Sequence, residues 1–176
     1  GAGDIYFIAQ RILSMWKKEW YAPQKLDNFW RCIFLCQEKR NLTQSIVAYS
    51  ISLSPDLAQI REMLQGLTEK LPEGATPIFH SDQGWQYQHG EYQKYLKEHN
   101  IIQSMSRKGN CMDNGAMENF FGRLKVEMFY GEKFETVDEF VHRLKEYIDY
   151  WNNERISLRL KGMSPVQYRT HYQHFN

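Results

Sequence analysis

The sequence predicts an α/β fold in which a central sheet is covered by helices. Short runs rich in β-branched and aromatic residues alternate with segments of helical apolar spacing, in β-α-β-α-β order from Ser45 onward. Two further amphipathic helices follow. Of the 176 residues 42% are apolar, enough for one domain, or one domain with an appendage, to bury a core.

Each element has its own justification. "SIVAYSIS", from Ser45, reads as a strand because β-branched and aromatic side chains suit a pleated surface. Leu57, Ile60, Leu64 and Leu67 then recur at helical spacing, with Pro55 near the start, and "LPEGAT" breaks that helix. "PIFH" is a second strand, Gly90 to Glu98 a second helix carrying Tyr92, Tyr95 and Leu96, and "IIQSMS" a third strand. After the polar loop "RKGNCMDNG", Met117, Phe121, Leu124 and Met128 form the stripe of another helix. The next opens with the capping box Thr136-x-x-Glu139 and shows the clearest helical period, Val137, Phe140, Val141, Leu144, Tyr147, Ile148 and Trp151. Ser164-Pro165 reads as the cap and first position of a short final helix.

Composition excludes little about partners. Lys and Arg number 22 against 21 Asp and Glu, so a nucleic-acid partner has to be argued from local clusters. Arg155, Arg159, Lys161 and Arg169 form one, either a phosphate-facing tail or a solvated end. Three cysteines make neither a disulfide framework nor paired zinc ligands, and a reducing intracellular setting is expected. No stretch has the length of a bilayer span, and no membrane association is expected. The leading Gly-Ala-Gly reads as the edge of a fragment of a longer protein.

Two acids stand out. Asp82 sits two residues past "PIF", at the carboxyl end of a strand, where ligands gather in open α/β sheets. Gly84 would allow a sharp turn there, and Trp85 and Tyr87 could wall a site or stack on a base. The plain alternative is an Asx turn between strand and helix. Glu118 lies beside the apolar stripe of its helix, and Lys125, seven residues on, falls on the same face about 10 Å along the axis. A pair of surface charges is the plain alternative there.

"HSDQGWQY", "SMSRKGNCMDNGAMENFFGRLKVEMF", "YIDYWNNERI" and "SPVQYR", between about Ser45 and Thr170, together resemble the retroviral-integrase-like DDE transposases of bacterial insertion sequences. The 35 residues between Asp82 and Glu118 match that family's spacing, and Lys125 matches its basic residue seven positions after the glutamate. The resemblance implies an RNase H-like fold, an integrase catalytic core with a mixed central sheet flanked by helices and a helical C-terminal extension. It implies metal-dependent DNA strand cleavage and strand transfer, with three carboxylates holding Mg²⁺ or Mn²⁺, two ions in all. Asp82 and Glu118 would be catalytic metal ligands, and Lys125, Arg107 and Lys108 DNA contacts. The implied partners are DNA, both transposon ends and target, and further copies of the chain. The implied setting is the bacterial cytoplasm, at the nucleoid.

The front departs from this pattern. The family's first aspartate stands on an early strand, in a Trp-x-x-Asp-x-Thr context about sixty residues before the second, and counting back from Asp82 lands near Tyr21, where no such motif occurs. Asp27 lies too close to Ile46, and Asp4 too far upstream. Residues 1–44 are therefore expected to be a divergent front segment, by a frame disruption or by genuine divergence, and 45–176 the core with C-terminal helices. Two functions remain in view: an active transposase, or a noncatalytic remnant that binds DNA or a full-length transposase. An RNase H-like nuclease outside transposition fits less well, because the C-terminal stretch also matches the transposases.

Overall fold

The computed structural model describes residues 6–12, 32–38, 44–52, 56–81, 83–106, 115–130, 132 and 134–173. Five strands form one mixed sheet: β1 (Tyr6–Ile12), β2 (Cys32–Glu38), β3 (Ile46–Ser52), β4 (Ile78–Ser81) and β5 (Ile102–Met105), in the spatial order β3-β2-β1-β4-β5. The first three make an antiparallel meander, and β4 and β5 add in parallel to β1. Parallel pairing needs a crossover, and here helices supply it. α1 (Leu57–Thr68) links β3 to β4, and α2 (Gly90–Glu98) links β4 to β5. After β5 come α3 (Gly115–Leu124), α4 (Val137–Asn153) and α5 (Pro165–Gln173).

Two apolar layers sandwich the sheet. On one face Ile60, Met63, Leu64 and Leu67 of α1 pack with Phe79, Tyr87, Tyr92 and Leu96. On the other, Phe120, Phe121 and Leu124 of α3 meet Phe140, Leu144, Ile148 and Trp151 of α4. From Ala48 to Ile51 period-two alternation serves both, with Ala48 in the first layer and Tyr49 and Ile51 against the second; a register shift before Ala48 reverses the phase, so that Val47 packs against the first layer and Ile46 joins the second. α1 is also tied to β3 by polar contacts, with Ser50 donating to Glu62 at 2.7 Å and the Gln59 amide donating to the Ser50 carbonyl at 3.0 Å.

Helix starts follow local chemistry. Asp56 supplies the cap of α1 by accepting from the Gln59 N–H at 2.8 Å. Thr136 caps α4 by accepting from the Glu139 N–H, but the Glu139 carboxylate reaches back to the Glu135 N–H at 2.9 Å, not to the Thr136 N–H. α5 has the complete reciprocal box: Ser164 Oγ accepts from the Gln167 N–H, and Gln167 Oε1 accepts from the Ser164 N–H.

Two features were not foreseen. α3 widens at its end into a π-helical turn, Lys125–Phe129, with the Tyr130 N–H donating to the Lys125 carbonyl at 2.9 Å. The strand beside β4 is Tyr6–Ile12, upstream of the point near Tyr21 to which the family spacing leads. Residues 13–31 join β1 to β2, a longer link than the usual two-to-five-residue hairpin loop, and this displaces the first strand toward the start of the chain.

Candidate functional site at the carboxyl edge of the sheet

Because β1, β4 and β5 run parallel, their carboxyl ends share one edge. Asp82 follows β4 there and itself lies outside the described residues. Its neighbours are well held. The Ser81 carbonyl accepts from the Ser106 N–H at 2.9 Å, and the Gln83 amide donates to the Ser106 carbonyl at 3.1 Å. Ser106 immediately precedes the segment 107–114, which contains Arg107 and Lys108 and lies outside the described residues. That segment leads into α3, where Glu118 occupies the first turns; its side chain is likewise outside the described set.

The face can be worked out from β4. Phe79 is buried against α1 and α2, so strand alternation turns His80 to the opposite layer, the one built on α3 and α4. His80 is buried and bonded through Nδ1 to Ser104 Oγ at 3.0 Å, the packing role expected of a histidine ending a buried strand. Lys125 is half-buried at the first position of the π-turn, and the α-helical register between it and Glu118 runs to Leu124.

Two readings of the loop after Asp82 need correction. Tyr87 is fully buried, edge-on to Tyr92 at 5.4 Å, so its ring belongs to the core and offers no surface for a base; Trp85, 54% exposed, does. Gly84 has φ −53° and ψ 144°, a conformation open to any residue, so the turn does not depend on glycine.

Sequence reasoning missed a clamp built by "WNNER". Asn152 bonds both backbone groups of Ile46 at 2.8 Å, and Trp151 Nε1 donates to the Gln44 carbonyl at 3.0 Å. Gln44 takes a left-handed φ of 53° and accepts from Asn119, the residue after Glu118. The end of α4 thereby fixes the start of β3 and the side of α3 next to the glutamate. Arg155 grips Glu127 with two bonds of 2.6 and 2.8 Å and lies over the Trp151 ring, while Tyr147 donates to the same carboxylate. The bond to Arg155 holds the Glu127 carboxyl below the usual carboxylate range, and burial, reinforced by Glu127, pushes the Tyr147 hydroxyl up. Arg155 therefore leaves the basic tail and serves the interior. The signal was present in the run of aromatic and amide residues at a helix end, but its partners lie up to 107 residues away.

A two-ion site calls for several carboxylates on adjoining elements. Here β1 reads YFIAQRI and β5 reads IQSM, neither with an acid. Glu38 of β2 pairs with Phe7, toward the amino end of β1 and so at the opposite edge from Asp82. Asp4 precedes β1 at that same end in the sequence, and both it and Asp27 lie outside the described residues. Among the described residues no group of three His, Cys, Asp or Glu side chains could hold a metal. Among the described residues, none completes a two-ion site.

Comparison with known proteins bears on the whole chain. Two models described as integrase core domain match residues 29–111 and 118–172. The first begins upstream of Ser45, where the family motifs start. An uncharacterized transposase-like protein of Haemophilus influenzae is 52% identical over 178 residues, covering 96% of this chain and 81% of that protein. The putative transposase InsK for insertion sequence element IS150 of Escherichia coli is 49% identical over 124 residues, 70% of this chain and 44% of InsK. Among solved structures, the BIV integrase catalytic core superposes with a TM-score of 0.63 at 16% identity over 98% of both chains. The HTLV-2 integrase catalytic core domain in complex with magnesium has a TM-score of 0.58 at 12% identity, covering 95% of this chain and 97% of that one. These two likenesses establish the RNase H-like fold. Among the described residues no helix is long and apolar enough to cross a membrane. With the fold, the family models and the close relatives in agreement, the chain belongs to the DDE transposases of bacterial insertion sequences, metal-dependent polynucleotidyl transferases of DNA transposition with an integrase-type catalytic core.

Proposed function

We propose that this chain is the DNA-handling core of a transposase, engaging transposon ends and target DNA along the carboxyl edge of the sheet. Asp82 and Glu118 are its catalytic carboxylates and the ligands for Mg²⁺ or Mn²⁺; Lys125, Arg107 and Lys108 contact the DNA backbone by charge. Residues 45–176 carry the candidate site residues and the C-terminal helices, and residues 1–44 are a front divergent in sequence that includes β1 and β2 of the sheet. The chain acts as a homo-oligomer at the nucleoid in the bacterial cytoplasm. The observation that carries the reading is the pair of bonds from Ser81 and Gln83 to Ser106, which tie both flanks of Asp82 to the start of the segment leading to Glu118.

One observation favours a second reading for this copy, a noncatalytic remnant that binds DNA or a full-length transposase: the central strand β1 has no acid. A strand-transfer assay on matched transposon ends with Mg²⁺ or Mn²⁺ separates the two. Activity lost in Asp82→Asn and Glu118→Gln supports the enzyme, and equal background in all three supports the remnant. DNA binding tests both: Lys125→Ala should weaken binding of an end duplex and lower the salt slope by about one phosphate contact, roughly 0.9.

A further inference from the structure

We propose that the metal site of this chain is short by one carboxylate, and that Gln10 stands where that carboxylate belongs. The inference rests on Asp82 and Glu118 being metal ligands. It comes from strand register. β1 and β4 are parallel neighbours with Tyr6 opposite Ile78, Phe7 opposite Phe79 and Ile8 opposite His80. Two residues beyond the last pair, toward the shared carboxyl edge, the sequence has Gln10 in one strand and Asp82 after the other.

Parity agrees with level. Gln10 shares the parity of Ile8, and Ile8 pairs with His80, which by alternation from Phe79 belongs to the side of the sheet covered by α3 and α4; Glu118 lies in α3. Neighbouring strands lie about 4.8 Å apart, so acids at matched levels of one face are within reach of a common cation. β1 is also central, paired with β2 through Gln10 and Leu35, so a ligand there would stand between β4 and β5 on one side and β2 and β3 on the other. An amide in that place brings a neutral oxygen. Hard divalent cations are held by accumulated carboxylate charge, and two acids hold them less tightly than three.

The test is titration calorimetry of the full chain with Mn²⁺ as probe, at fixed ionic strength, with folding followed by circular dichroism. Wild type should bind weakly. Gln10→Asp should tighten binding by at least about tenfold, and adding Asp82→Asn or Glu118→Gln should remove the gain. Arg11→Asp, of opposite parity, should gain nothing. Tight wild-type binding that depends on Asp82 would overturn the inference while leaving Asp82 as a ligand. A gain that survives both Asp82→Asn and Glu118→Gln would instead sink the reading of those residues, and the inference with it. A folded Gln10→Asp with no gain also overturns the proposal. Should that variant fail to fold, Gln10→Glu replaces it, and the wild-type titration decides if neither folds: Asp82-dependent tight binding refutes, its absence supports.

Discussion

β1 and β4 are neighbours in one sheet, run the same way and end at the same edge, yet β4 is followed in the sequence by Asp82 and β1 contains no acid at all. The difference teaches that a sheet asks less of a sequence than a metal site does. Backbone pairing accepts any residues that suit a pleated strand, and "YFIAQRI" does. Chemistry asks for one residue type at one level. A strand can thus hold its place in the fold whether or not it carries a carboxylate.

The largest expected effect tests whether β1 is as central as β4. Ile8 pairs with Gln37 on one side and His80 on the other, so Ile8→Pro deletes a ladder donor inside the sheet and should abolish the cooperative thermal transition. Wild-type melting in that variant would break the comparison by removing β1 from the interior. Next in size is Phe79→Ala in β4. Its ring is fully buried, and denaturant unfolding should show a loss of about 3–5 kcal/mol.

The clamp on α3 gives the third effect. Arg155→Ala removes a half-buried ion pair with Glu127 and cover from the Trp151 ring, and should cost about 2 kcal/mol, between exposed and buried pairs. The same cluster sets a pH dependence. The Glu127 carboxyl is lowered on folding, mainly by the bond to Arg155, so its contribution is present above the ordinary value of 4.5 and fades as pH falls through the folded value. The Tyr147 hydroxyl is raised, mainly by burial, so its contribution is present below 10.0 and fades as pH rises beyond it. Melting temperature against pH should show a plateau with both shoulders, and the acid shoulder should shrink in Arg155→Ala. The smallest effect is Thr136→Ala, which removes the α4 cap and should cost about 1 kcal/mol by the same unfolding measurement.

Legibility followed the range of the interactions. α1, α2 and α4 were readable because periodicity and caps are local; α2 has the bounds Gly90–Glu98 that its spacing predicts. β4 and β5 were readable as short apolar runs between turn signals. β1 was not, since its long connection to β2 hides the pairing and no motif marks it. Tyr87 looked like a site residue beside Asp82, but tertiary packing against Tyr92 made it core. Arg155 looked like part of a basic tail because Glu127, its partner, lies 28 residues earlier.

By itself, the chain's order of residues determined the α/β alternation, the helix starts, and the spacing of Asp82, Glu118 and Lys125 that marks the family. Tertiary structure alone decided that β1 stands beside β4, in parallel, with Tyr6 opposite Ile78 and Ile8 opposite His80. The physical reason is that periodicity and capping act over a few residues, whereas register between strands some seventy residues apart is settled only when both are laid in one sheet.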